Sequence, residues 1–283
     1  MATGMFIGFL FRNKEKLIKP IDYIITWSIF LLLFFLGISV GTNDTIINNL
    51  DTIGIKAFFL TIGAVLGSII VAYFTYIFFF KKKMKNSIVI VIFFICGILC
   101  GLFSILPKFF LSTDINSYVL YILMFFVGIS VGADKSALKI IKKAKLKILL
   151  VPLSVVIGTF IGVGIFSIFI PNMNLRDSLA VGSGFGYYSL SSIFISQISG
   201  KTLGVIALLS NILREIITLL FTPIIVKYFG KIAPIASGGA TSMDTTLPII
   251  IKFVGKEYAI ISIFSGTILT ILVPFLVTFI LKI

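Results

Sequence analysis

Histidine is absent from the 283 residues, cysteine occurs twice, tryptophan once, and Asp and Glu together number only 10. Without histidine the chain lacks the commonest general base and the commonest metal ligand. No metal-ligand cluster can be assembled, and no nucleophile stands beside a base, so an enzyme is the least favoured class and neither a cofactor nor a metal is expected. Cys96 and Cys100 lie four apart on one helix face, where small buried residues of helix packing explain them better than a redox or metal pair. Polar stretches are equally scarce. There is no linker, low-complexity tract or soluble domain, and the longest polar interval is the one between Ala133 and Ile148.

Apolar residues fill the space, at 59% of the chain against 12% charged. Runs of roughly 18 to 25 apolar residues, each enough to cross a hydrocarbon layer of about 30 Å as helix, recur between short polar breaks. They are continuous rather than alternating, which predicts a helical bundle and excludes a barrel. Crossings are expected near Tyr23–Gly41, Ile53–Phe80, Ser87–Leu106, Ser117–Ala133, Ile148–Ile170, Asp177–Ser199, Leu203–Phe229, Ala233–Phe253 and Glu257–Leu281. Met1–Phe11 is apolar but too short to span alone, and its positive charges follow it, unlike a secretory signal; it reads as a short or partly inserted first helix. The expected fold class is an all-α polytopic integral membrane protein of about 8–10 crossings in one domain.

A net charge of +14 raises the question of nucleic acid, but the lysines occupy short loops rather than one soluble face. Arg12, Lys14, Lys16 and Lys19 precede the first full crossing, Lys81, Lys82, Lys83 and Lys85 follow the second, and Lys135, Lys139, Lys142, Lys143, Lys145 and Lys147 follow the fourth. These loops alternate with lysine-poor ones at Thr42–Thr52, Pro107–Asn116 and Pro171–Asp177, which places the basic loops in the cytoplasm. The partner this pattern implies is the lipid of the cytoplasmic membrane, not nucleic acid. A homo-oligomer is compatible with the sequence.

One stretch is written twice. FFLGISVG, from Phe34, returns ninety-one positions later as FFVGISVG, from Phe125, with seven of eight residues identical. Gly67 aligns with Gly158 at the same spacing, and the GFLF of the stub resembles Gly101-Leu102-Phe103 ahead of the second copy. Residues 1–83 and 84–170 therefore read as two three-helix repeats. A three-helix unit must enter the membrane from the opposite side the second time, so the repeat is inverted, which is a transporter signature. The glycine pairs Gly37/Gly41, Gly63/Gly67, Gly128/Gly132 and Gly158/Gly162 also read as faces for close helix contact.

Charged residues inside hydrocarbon cost about 2.5–3.5 kcal/mol each on the translocon scale, so they mark function. In LSNILREIITLLFTP, Leu209 to Pro223, Asn211 and Glu215 are four apart and Thr218 and Thr222 continue their face, giving a polar stripe; Arg214 points about 100° away, toward a counter-charge on another element. Two further segments, GSGFGYYSLSS (Gly182–Ser192) and SGGATSMDTTLP (Ser237–Pro248), are too rich in glycine and hydroxyls for ordinary helix at membrane depth. Broken helices are expected there, in residues 171–283, with freed N–H and C=O groups beside a watered cavity. Asp244 falls in the second break, and Tyr187 and Tyr188 in the first offer rings to a cation.

VGSGFGYYSLSS, SNILREII and GGATSMDTTLP, together with FFLGISVG and the preceding TWSIFLLL, resemble the lysine exporters of the LysO (YbjE) type along essentially the whole chain. Two departures stand out: the first helix is curtailed to Met1–Phe11, and Asn211 is followed by isoleucine where the family pattern has aspartate. The resemblance implies export of L-lysine and close analogues across the inner membrane in exchange for protons. Lysine carries a carboxylate and two ammonium groups, so its site needs N–H donors at one end and carboxylates at the other. The expected substrate-binding set is Glu215, Asn211, Asp244, Ser242, Thr241, Ser183, Gly184, Tyr187, Tyr188 and Ser189, with Glu215, Asp44 and Asp244 as proton-coupling acids and Arg214 as their charge partner. Asp134, beside six lysines, reads as a solvated loop charge. The alternative is a Na+/H+ or other cation/proton antiporter using the same acids.

Overall fold

A computed structural model describes residues 2–11, 15–42, 53–79, 89–103, 113–133 and 145–283. Within them are twelve α-helices: α1 (Ala2–Phe11), α2 (Glu15–Gly41), α3 (Ile55–Phe79), α4 (Val89–Leu102), α5 (Thr113–Gly132), α6 (Leu150–Ser167), α7 (Leu175–Gly182), α8 (Tyr188–Ser199), α9 (Lys201–Phe229), α10 (Ala233–Gly238), α11 (Leu247–Val254) and α12 (Ala259–Lys282). Among the described residues no strand occurs. The protein is thus all-α and polytopic. Four helical stretches, Ile55–Phe78, Lys147–Ser167, Lys201–Phe229 and Lys256–Lys282, are long and apolar enough to cross a membrane unaided, and Pro20–Phe35 and Ser117–Gly132 are shorter apolar helices.

The chain forms two compact units. The first comprises Met1–Asn48, Asn86–Lys143 and Gly255–Ala259. In it α1 packs on α5, and α2 on α4 and α5. Glycine sets the approach, because a Cβ on Gly4 would strike the backbone oxygen of Phe125, and one on Gly97 would strike that of Phe34. Phe34 and Phe125 are the ninety-one-residue equivalents of the sequence, so the α1–α5 contact has the same form as the α4–α2 contact. Phe30 stacks on Phe93 across α2 and α4 at 4.6 Å. Leu33, Leu123 and Val127 are fully buried. Ser130 donates to Asp22 at 3.3 Å, and Lys256, in the turn before α12, pairs with the same carboxylate at 2.8 Å.

The second unit comprises Asn49–Lys85, Ala144–Val254 and Ile260–Ile283. Its frame is an antiparallel crossing of α3 and α6. A Cβ on Gly67 would strike Gly158 and one on Gly63 would strike Gly162, and the reverse substitutions collide equally. In lipid there is little hydrophobic drive between helices, so such close backbone approach, with its dispersion and weak C–H···O contacts, supplies the association. The far sides of the pair, with Phe58, Leu66, Phe74, Leu153, Ile157 and Ile161, are exposed apolar stripes suited to lipid. Helix α9 lies against α3, held partly by Thr61 Oγ1, which donates to the Ser210 carbonyl at 3.0 Å.

The expected crossings Asp177–Ser199 and Ala233–Phe253 are each two helices with a break between. Of the loops that bear on orientation, residues 12–14, 43–52, 80–88, 104–112 and 134–144, with Asp44 and Asp134, fall outside the described residues, while Pro171–Asp177 falls within them.

Candidate functional site

Helix α9 carries the charged residues of the site in its buried middle: Asn211, Arg214 and Glu215 are 3%, 1% and 5% exposed. A helix turns about 100° per residue, so 211, 215, 218 and 222 share a side. The neighbours of that side are the two breaks.

In the first break α7 stops at Gly182 and the chain passes through Phe185 (φ 46°) and Gly186 (φ 97°) before α8 begins at Tyr188. Both torsions lie in the left-handed region, costly for Phe185 and free for Gly186. Asn211 holds this turn. Its Oδ1 accepts the Gly186 N–H at 2.7 Å, while its Nδ2 donates to the Ala207 carbonyl at 2.8 Å and to Ser191 Oγ at 3.3 Å. The amide is therefore engaged in shaping the break. Gly184 leaves the room for it, since a Cβ there would overlap the Asn211 amide and lie 2.7 Å from Ser191 Oγ. Ser183 donates to the Leu179 carbonyl of its own helix at 2.7 Å.

In the second break α10 ends at Gly238, Gly239 takes φ 61°, and a single 3-10 turn runs to Met243 before α11 starts at Leu247. The Ala240 N–H donates to the Phe185 carbonyl at 2.8 Å, so the two breaks touch directly. Thr241 donates to the Gly238 carbonyl and Ser242 to that of Gly239, at 2.9 and 2.7 Å. Ser242 is also tied to α12, its carbonyl accepting from Ser262 Oγ at 2.7 Å. These hydroxyl protons are spent locally, which leaves acceptor lone pairs free.

Glu215 meets the second break at Thr245, whose hydroxyl lies within hydrogen-bonding range of its carboxylate and donates to Asp244 Oδ1 at 3.5 Å. The same residue donates its backbone N–H to Asp244 Oδ1 at 2.6 Å. Asp244 lies within electrostatic range of Glu215, and the Tyr188 phenol within range of both acids. Exposure grades across this group: Tyr188 and Ser189 are exposed, Tyr187, Asp244 and Thr245 half-buried, and Glu215 buried. Two carboxylates, a phenol and a hydroxyl converge here with no basic side chain among them. Such a group is suited to an ammonium or another cation.

Arg214 does not face these acids. The sequence placed it as a counter-charge; the structure turns it toward neutral oxygens. Nε donates to the Ser237 carbonyl at 2.9 Å, Nη2 to the Ala236 carbonyl at 3.0 Å and to Ser68 Oγ at 2.9 Å, and Nη1 to Thr159 Oγ1 at 3.2 Å. Lying on the same helix as Glu215 but a third of a turn round, it is directed at α3, α6 and α10.

The family profile described as "Lysine exporter LysO" matches residues 1–92 and 91–281. The chain belongs to the lysine exporter LysO family. Its relatives include the "Lysine exporter LysO" of Escherichia coli (strain K12), 29% identical over 99% of this chain and 97% of that protein. A "Putative lysine exporter" of Haemophilus influenzae is 37% identical over 58% of this chain and 83% of its own length. No solved structure matches the chain. A LysO-family chain with several apolar helices is a multi-pass protein of the inner membrane.

Of the residues singled out in the sequence, the fold brings Glu215, Asp244, Asn211, Ser183, Gly184, Tyr187, Tyr188, Ser189, Thr241 and Ser242 to the two breaks. Thr245 was missed although it adjoins Asp244, because a lone threonine carries no sequence signal. Ser68 and Thr159 were missed too, yet a signal existed: each follows one of the glycines paired by the ninety-one-residue spacing.

Proposed function

We propose that this protein exports L-lysine and close analogues across the inner membrane, binding the side-chain ammonium at Glu215 and Asp244 and exchanging it there for a proton. The observation that carries this reading is the meeting of the two breaks at Ala240 and Phe185, which sets Glu215, Thr245, Asp244 and Tyr188 in one group beside freed backbone. The names of both relatives support lysine as the substrate. An acid that takes lysine's ammonium and a proton in turn couples the two fluxes, since the carboxylate cannot hold both at once. Thr241, Ser242 and Ser183 offer lone pairs around the group, and Asn211 and Gly184 keep the first break in shape. Asp44 completes the set of coupling acids.

Alternating access is supplied by two three-helix repeats of opposite orientation, residues 1–83 and 84–170. Supporting this are the equivalent glycine contacts at Phe34 and Phe125 and the antiparallel α3–α6 crossing. The deciding experiment is counterflow of labelled lysine in proteoliposomes, with pH and Na+ gradients imposed separately. Lysine uptake that responds to pH and ignores Na+ is expected. Na+ flux exchanging with protons, without lysine, would replace this reading with cation/proton antiport by the same acids.

A further inference from the structure

Arg214 is almost wholly buried and is not used by the proposed exchange chemistry. Burying a guanidinium costs several kcal/mol unless its donors are met. Here they are met by two distinct sets of oxygens. One set is the carbonyls of Ala236 and Ser237, in the last turn of α10, where helix termination at Gly239 leaves carbonyls without partners in their own helix. The other is the hydroxyl pair Ser68 and Thr159, which are hydrogen-bonded to each other at 2.9 Å and lie ninety-one residues apart. That separation is the spacing of the sequence repeat, and the two residues follow Gly67 and Gly158, whose backbones are in contact. The pair therefore sits at the centre of the α3–α6 crossing and joins equivalent points of the two repeats.

We infer that Arg214 is a positioning residue that pins the second break to the centre of the α3–α6 crossing, so that the break moves with that crossing during transport. Resting on the export reading above, this adds the element that links the repeats to the site. If the two repeats exchange conformations, α3 takes the conformation of α6 and the reverse, and the settings of Ser68 and Thr159 are exchanged. A donor that bonds both hydroxyls keeps both bonds throughout. The planar fork of arginine can do this while also serving two carbonyls; an ammonium, with three donors at one point, cannot span the four oxygens. Thr218 reinforces the joint, since its hydroxyl bonds the Arg214 carbonyl at 2.9 Å and contacts Ser237 Oγ at 2.7 Å. The second break is held on its other side by Ser242 and Ser262, so releasing Arg214 frees one side of it only.

The test uses the full-length protein in proteoliposomes, comparing Arg214→Lys, the double variant Ser68→Ala with Thr159→Ala, and the unaltered chain. Two readouts are taken: labelled-lysine counterflow at varied concentration, and backbone hydrogen exchange over residues 239–246. The maximal counterflow rate should fall about tenfold or more in Arg214→Lys and about threefold in the double alanine variant. Half-saturating lysine should stay within about twofold, because no acid of the binding group is altered. Exchange over 239–246 should rise about threefold in the double alanine variant, although neither substituted residue touches that segment. Should Arg214→Lys fail to fold, the double variant decides alone. A normal rate, a loss of lysine affinity matching the loss of rate, or unchanged exchange in the break would each overturn the inference. The exchange arm needs no lysine, so it still tests the joint if the unaltered chain proves to carry a different substrate, an outcome that would count against the export reading instead.

Discussion

A buried carboxylate is retained in a membrane helix only where its charge does something, and Glu215 can be tested at constant shape. Glu215→Gln keeps size and removes charge; export should fall about tenfold or more, the value of one or two charge-assisted bonds, while membrane levels stay near normal, because an amide is cheaper to bury than a carboxylate. Asp244→Asn should behave alike, whereas Asp134→Asn should change export less than about twofold. Transport at the normal rate by Glu215→Gln, with expression checked by immunoblot, would remove it from the coupling group. Gly184→Ala tests the shape of the first break: the added Cβ enters the space of the Asn211 amide. It should lower thermal stability by about 1–3 kcal/mol, read as melting temperature in detergent. The acids were legible in the sequence because charge in an apolar run is rare. Arg214 was legible as a buried charge but not in its partners, since a helical wheel gives a direction and not what stands there. Asn211 likewise announced its burial and not that its amide would be spent on Gly186, Ala207 and Ser191.

Helices were legible wherever apolar runs ended in polar residues, and α3, α9 and α12 keep close to the expected limits. The breaks were legible as places and less so as lengths. Glycine and serine content marked Gly182–Ser192, yet helix resumes at Tyr188, because only Phe185 and Gly186 need left-handed torsions and Ser189 to Ser192 tolerate helix. That difference moves Tyr188 and Ser189 from a loop to the first turn of α8, which fixes the spacing of their side chains. The α3–α6 crossing was legible through its paired glycines and offers a matched comparison. Gly67→Ala and Gly158→Ala each drive a Cβ into the opposing backbone and should destabilise by about 1–3 kcal/mol. In Gly164→Ala, on the same α6, the nearest atom is Leu175 Cδ1 at 3.9 Å, and stability should change by less than about 0.5 kcal/mol. Equal melting temperatures for the three variants would show that the crossing is not the tight frame described.

At the scale of the whole molecule, transport direction is a matter of charge. Moving lysine's single positive charge out of a negative-inside cell costs about 2.3 kcal/mol per 100 mV. Exchange for one proton moves no net charge, so the pH gradient alone drives export; exchange for two moves one positive charge inward per cycle and adds the potential to the drive. The local structure bears on which occurs. Glu215 and Asp244 meet through one Thr245, and a lysine ammonium with three donors can engage both carboxylates of such a group at once. Whether one or both are protonated on the return step sets the stoichiometry. The ammonium of lysine brings one positive charge to this group, and one proton returned in its place restores the same charge there. On the exchange proposed above, one proton per lysine is therefore the expected cycle. At a fixed pH gradient, lysine flux in proteoliposomes clamped with potassium and valinomycin should then vary less than about twofold between 0 and roughly −100 mV, and Asp244→Asn should abolish the pH response together with the flux. A two-proton cycle would instead make the maximal lysine gradient rise about fiftyfold over the same range, the equivalent of that 2.3 kcal/mol. Such a rise would place a further acid in the coupling group, with Asp44 the first to substitute.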